Sequence, residues 1–206
     1  MARVSQEHLD ARRRQILDGA ALCFARNGFH ATSMQDILKE VDLSAGAVYR
    51  YFRGKDDLIH AIVTEVFDDV RAAFEGAGKE APLPLPHDLV SVVVGRMLTG
   101  RHGLQVDGVS YFPRLMVQVW TETLRNEGLA AVFQEGYAKV CEVWVRIVEE
   151  YQAAGMMRTD VAPEVVARTM IATVQGFAAQ QALFGESPLE DLRLGLRGLM
   201  SMREVS

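Results

Sequence analysis

Residues 32–55 read TSMQDILKEVDLSAGAVYRYFRGK, and this stretch decides how the chain is understood. Its spacing predicts two short helices joined by a tight turn. Ile37, Leu38 and Val41 fall on one face of the first helix. Thr32 and Gln35 fit a capping box, in which a hydroxyl and an amide satisfy free backbone N–H groups. Asp42 stands where the chain must turn, and Asp tolerates a left-handed backbone better than most residues. Ser44 caps the second helix, Val48 and Phe52 anchor it from one face, and Gly54 ends it. The outer face of that helix carries nothing bulky at Ser44, Ala45, Gly46 and Ala47. Tyr49, Arg50, Tyr51, Arg53 and Lys55 follow directly with hydroxyls and positive charge. A small-residue nose with a basic, aromatic rim is what a helix needs to enter a DNA major groove. A plain helical hairpin with a solvated Tyr and Arg face is the bland reading. It does not account for caps, turn and rim all agreeing.

Outward from this stretch the pattern stays helical. The periodicity predicts nine helices and no strand, an all-α chain. The first helix covers about 6–27, with Ile16, Ala20 and Phe24 inward and Gly28 at its end. The fourth opens at Lys55 and carries Leu58, Ile62, Val66 (with Phe67), Val70 and Phe74 at helical spacing. It is longer than the motif requires and reads as the link between two domains, 1–54 and 55–206. Residues 76–86, GAGKEAPLPLP, are the one breaker-rich loop. The remaining helices are expected at about 87–101, 112–126, 128–154, 163–184 and 188–202, with a polar connection over 102–110. Pro113, Pro163 and Pro188 each sit where a helix starts.

The first quarter of the chain resembles the DNA-binding domain of the TetR family of bacterial repressors. The resemblance rests on Ile16-Leu17-Asp18-Gly19-Ala20, Phe24, Gly28-Phe29, Ala31-Thr32-Ser33, Ile37 and Ser44 through Phe52, with Lys55 and Leu58. It covers about 12–63 without a gap, and beyond it only the helical plan is shared. Val41-Asp42 stands where the family often has Ala-Gly. The resemblance implies phosphate contacts from the Tyr49 hydroxyl and from Lys55. It places Gln35, Ala45 and Arg50 at bases or the adjacent backbone. Thr32, Ser33, Ser44, Gly46 and Tyr51 complete the expected DNA-binding set. It also implies a four-helix dimer interface made by the last two helices.

Composition agrees with a regulator. The formal net charge is −5, which argues against a nucleic-acid partner until its distribution is read. Residues 1–60 hold 9 Lys and Arg against 8 Asp and Glu, so the acidic excess lies in the rest of the chain. Arg12, Arg13, Arg14, Arg50, Arg53 and Lys55 can supply local positive charge. The two cysteines, Cys23 and Cys141, lie far apart within apolar helical patterns and read as buried thiols, not a disulfide or metal pair. The stretch 3–14 is too polar for a signal peptide, and no apolar run reaches the roughly 20 residues of a membrane span. The expected location is cytoplasmic.

The last two helices read as a subunit interface. The eighth is apolar on more than one face, through Val166, Met170, Val174, Phe177, Ala167, Ile171 and Ala178. Gly176, Ala179 and Ala182 on it permit close approach. The ninth shows Leu189, Leu192, Leu196 and Leu199 in one stripe, and Phe177, Leu192 and Leu196 are expected between subunits; the alternative is that both faces are buried within one subunit.

Between the DNA-reading part and these helices the sequence suggests a small-molecule cavity. Met97, Tyr111, Phe112, Met116, Trp120, Phe133, Tyr137, Trp144 and Phe177 form an aromatic and Met-rich set. Of these, Met116, Trp120, Phe133, Tyr137, Trp144 and Phe177, with Thr173, are the expected ligand contacts. Gln118, Thr121, Glu122 and Gln175 are further polar candidates. Ordinary core packing explains any single one of these residues equally well. His87 and His102 show no metal-ligand spacing, and nothing reads as a catalytic, phosphate-cradling or metal site.

The expectation is a ligand-responsive transcriptional repressor, with no cofactor, binding a palindromic double-stranded DNA operator as a homodimer. Its effector is small and apolar or aromatic. The reading from another class is a helical small-molecule-binding protein or enzyme that keeps the motif only as scaffold. Intact Gly46, Tyr49 and Lys55 argue against it.

Overall fold

The computed structural model describes residues 6–77, 83–99, 104–185 and 187–200. Among these residues the elements are α1 (Gln6–Asn27), α2 (Met34–Val41), α3 (Ala45–Tyr49), α4 (Lys55–Ala77), α5 (Pro86–Thr99), β1 (Gln105–Val106), β2 (Val109–Ser110), α6 (Phe112–Thr123), α7 (Glu127–Ala153), α8 (Pro163–Phe184) and α9 (Leu189–Met200). The all-α expectation holds with one correction. The polar connection before α6 forms a small antiparallel hairpin, in which Gln105 pairs with Ser110 and Val106 with Val109. Asp107 and Gly108 turn it with φ of 51° and 79°. Positive φ at both central residues is the requirement of a tight two-residue turn. Strands this short carry no readable alternation.

Boundaries shift where side chains cap the backbone. Helix α6 stops at Thr123, short of the expected 126, because Asn126 starts the next helix instead. Its side chain accepts from the Leu129 N–H at 3.0 Å. Of the expected loop over 76–86, residues 78–82 lie outside the described residues. So do Arg101, His102 and the expected end of α9 at 201–202. His87 is buried in the first turn of α5.

Two apolar clusters hold the helices. In one, Ile16, Ala20 and Phe24 of α1 meet Ile37 and Val41 of α2, Val48, Phe52, Leu58 and Ile62. That cluster continues into Leu115 and Val119 of α6 and Leu129 of α7. Helices α1, α2 and α3 therefore share their core with the rest of the chain. The other cluster joins Phe74 of α4, Leu89 and Val93 of α5, Trp144 and Ile147 of α7, Met170 of α8 and Leu196 of α9. Cys23 is buried in the first, where desolvation pushes its thiol up to about 11. Cys141 is only half-buried, a correction to the expectation, and both thiols are free.

Candidate nucleic-acid interface and effector cavity

The reading head is built by caps. The capping box exists but lies one residue further along than the sequence predicts. Ser33 is the N-cap of α2: its Oγ accepts from the Asp36 N–H at 3.2 Å, and the Asp36 carboxylate accepts from the Ser33 N–H at 2.8 Å. The Ser33 hydroxyl, and then its backbone N–H, hold the Asp36 carboxyl below the usual range. A box of this kind is worth about 1 kcal/mol per cap. Thr32 is buried instead, and its hydroxyl donates to the carbonyls of Gly28 at 2.8 Å and Cys23 at 3.2 Å. Thr32 thus ties the end of α1 to the start of α2 and is withdrawn from the DNA-facing set.

Asp42 adopts the expected left-handed conformation, with φ 52° and ψ 50°, and turns the chain. Ser44 caps α3 through the Ala47 N–H at 3.3 Å. Helix α3 is a short turn and a half, pinned by buried Val48 and, just after it, Phe52. Ser33, Gln35, Ser44, Ala45, Gly46, Tyr49 and Arg50 are all exposed. Around Gly46 there is open space: a Cβ there would meet nothing within 4 Å. Tyr51 is half-buried against the core and is less exposed than Tyr49 and Arg50.

Lys55 opens α4, its Nζ donating to the Phe29 carbonyl at 2.8 Å and lying 4.8 Å from the Phe29 ring centroid. An ammonium has three donors, so two stay available to a phosphate. Of the basic residues at the N-terminus, Arg13 is engaged by Glu65 and stands 5.5 Å from the Phe52 ring. It acts as a brace between α1 and α4.

A cavity of about 130 Å³ lies among α4, α5, α6, α7 and α8. Met116, Trp120, Phe133, Tyr137, Trp144 and Phe177 all line it, as expected. Thr173 does not; its hydroxyl donates to Thr169 on its own helix at 2.9 Å. The polar candidates separate in the same way. Gln175 faces the cavity. Gln118 lies against Gly28, Thr121 donates to Val117, and Glu122 pairs with His30. Residues not anticipated include Val63, Phe67, Val93, Val94 and Leu98 of α4 and α5. Their signal was the breadth of the apolar face, which periodicity alone cannot distinguish from packing. The lining side chains are apolar except for the polar groups that Tyr137, Gln175, Trp120 and Trp144 carry. Burial, then the adjacent Cys141, raises the Tyr137 hydroxyl above its ordinary value, so it stays a neutral donor and acceptor.

Two helices connect the cavity to the reading head. Helix α4 begins at Lys55 and lines the cavity with Val63, Val66, Phe67, Val70 and Phe74. Helix α6 turns Met116, Val119 and Trp120 to the cavity and its other side to the end of α1. There Glu122, buried, sits 2.9 Å from the His30 Nε2. Tyr111, expected among the cavity aromatics, instead stands 5.4 Å from the Arg26 guanidinium.

The outer sides of α8 and α9 are exposed. Val165, Leu183 and Phe184 of α8 and Leu194, Leu199 and Met200 of α9 are large apolar side chains in solvent. Gly176, Gly195 and Gly198 lie among them with open space above. The interface residues expected from sequence point inward instead. Leu196 is 5% exposed in its own subunit's core, Phe177 lines the cavity, and Leu192 packs against that core. The stripe is divided: Leu196 and, in part, Leu189 and Leu192 belong to the subunit's own core, whereas Leu199 is 69% exposed.

Comparison with known proteins agrees with this geometry. Residues 16–62 match the model of bacterial regulatory proteins of the tetR family, and residues 111–197 match the C-terminal domain of BetI-type transcriptional repressors. The HTH-type transcriptional repressor Rv1474c of Mycobacterium tuberculosis is 36% identical over 91 residues, 44% of this chain and 47% of that protein. The HTH-type transcriptional regulator UidR of Escherichia coli K12 is 26% identical over 168 residues, 81% of this chain and 80% of UidR. The structure of Salmonella enterica GusR superposes with a TM-score of 0.70 at 28% identity, covering 98% of this chain and all of that one. No helix among the described residues is long and apolar enough to cross a membrane.

Proposed function

Because this chain belongs to the TetR family, and is a DNA-binding transcriptional regulator and not an enzyme, we propose that it is a repressor released by a small apolar effector. It binds a two-fold symmetric operator as a homodimer through the outer sides of α8 and α9. Residues 1–54 read the DNA, residues 55–206 bind effector and partner, and a DNA target implies a cytoplasmic location. The observation that carries this reading is the course of α4. Its first residue sits beside the recognition helix and its middle lines the cavity.

Without effector, the two recognition helices stand at a spacing that matches successive major grooves, about 34 Å or a multiple. An effector that prefers a conformation with another spacing shifts the population and releases DNA. Its chemistry follows from the wall. Few polar atoms are available, so a charged ligand loses its hydration without replacement. A volume near that of an engineered cavity of about 150 Å³ that takes up benzene fits one ring or a short hydrocarbon group before the walls adjust.

The test uses the tryptophans. Trp120 and Trp144 both line the cavity. An apolar compound that changes their fluorescence should release operator DNA at matching concentrations, because a ligand lowers DNA affinity only by its preference between conformers. Compounds that bind without releasing DNA, across a broad apolar panel, would defeat the effector reading and leave DNA binding intact.

Lys55→Ala tests the DNA interface separately. Removing one phosphate contact should weaken binding to all sequences alike and lower the salt slope by about one unit. Full operator affinity at every salt concentration would remove Lys55 from the interface.

A further inference from the structure

Helix α7 carries a glycine, Gly136, in the middle of 27 residues. It is buried, and it is not among the residues lining the cavity. A Cβ at this position would stand 2.3 Å from Cδ2, 2.4 Å from Cγ and 2.9 Å from Cβ of Phe67. The ring of Phe67, from α4, therefore sits in a notch that only the absence of a side chain on α7 leaves open. The clash reaches back to the Phe67 Cβ, so a turn of the ring's far end does not relieve it.

We infer that Gly136 is a specificity-determining residue of the effector cavity, acting by holding the Phe67 ring out of the space a ligand needs. This rests on the effector reading above. Phe67 lines the cavity and packs edge-on against Phe133, ring centroids 5.0 Å apart and planes at 76°. Phe133 lies on α7 about one turn before Gly136, so a displaced Phe67 ring is blocked in that direction. The space on its remaining side is the cavity. Close-packed interiors yield first where they hold empty volume. A methyl group on Gly136 thus drives an aromatic ring into about 130 Å³ of room. Because Phe67 belongs to α4, the same notch sets how closely the helix that leads to Lys55 approaches α7.

The experiment measures calorimetric binding of two uncharged probes, benzene and naphthalene, to the full chain and to three variants. Gly136→Ala should weaken naphthalene by about tenfold or more and benzene by less than about threefold, the scale on which an apolar pocket senses lost room. Adding Phe67→Ala to Gly136→Ala keeps the new methyl but removes the ring and its Cγ, leaving only the 2.9 Å approach to the position 67 Cβ, and should restore naphthalene binding. Phe67→Ala alone should bind naphthalene at least as well as the unaltered chain. Should Gly136→Ala by itself lose its fold, the double variant decides: restored naphthalene binding supports the inference and its absence overturns it. Equal or stronger naphthalene binding by folded Gly136→Ala also overturns it, since α4 and α7 would then have moved apart. If the unaltered chain takes up neither probe, the effector reading falls, and this inference with it.

Discussion

Gly46→Leu should leave the protein folded and dimeric while specific DNA binding falls by about 100-fold or more, on the order of 3 kcal/mol. The two halves of this expectation have separate causes. A Cβ at position 46 meets no other protein atom within 4 Å, so a side chain has room to leave the backbone there. Leu also favours helix over Gly by roughly 0.5–1 kcal/mol, so α3 gains if anything. The open side of α3 is where a groove floor must come close, flanked by exposed Ala45, Tyr49 and Arg50. A branched side chain there would hold the helix away from the base edges, and the phosphate contacts proposed for Tyr49 and Lys55 would lose their register together. The measurement is a gel-shift or anisotropy titration against an operator selected from the inverted repeats upstream of the coding region. Normal affinity in a folded Gly46→Leu protein would mean that α3 does not lie in the groove.

Placing Asp at both Leu183 and Leu199 should convert the protein to monomers and weaken operator binding accordingly. Leu183 is 68% and Leu199 69% exposed in the single subunit. Neither change disturbs the subunit's own core, and each puts a carboxylate into a contact that only a partner would make apolar. Burying an ionised carboxylate there costs several kcal/mol, enough to dissociate the dimer at micromolar concentration. Leu196→Asp provides the contrast. That side chain is in the core between α5 and α9, so the expected result is a lower melting temperature and loss of fold. Light scattering separates the two. An unchanged dimer in the Leu183, Leu199 double variant would move the interface off these helices.

The contrast between Leu196 and Leu199 marks what sequence can and cannot carry. A stripe of leucines at helical spacing says that a face avoids water. It does not say whether the covering surface belongs to the same chain or another. Thr173 and Gln175 pose the same problem in miniature. They are two residues apart, so on a helix they point in different directions, and only the position of α8 against its neighbours shows that Gln175 is the one facing the cavity. Tyr111 and Glu122 lie on the expected helix or beside it, yet meet Arg26 and His30, far away in the chain.

The reading head was legible because its determinants are local. Ser33, Asp36, Asp42 and Ser44 act on backbone groups within three or four residues of themselves, and their chemistry is written in that short span. Even the error there was local: Thr32 and Ser33 are both competent caps, and which one serves depended on Thr32 finding the Gly28 and Cys23 carbonyls. The helical class and the order of the helices likewise follow from a period that each segment carries alone. The cavity, the notch at Gly136 and the outward side of α9 depend on contacts between residues far apart in the chain. A helix pattern specifies which face is apolar but not what volume the facing helices leave between them. Tertiary packing decided that.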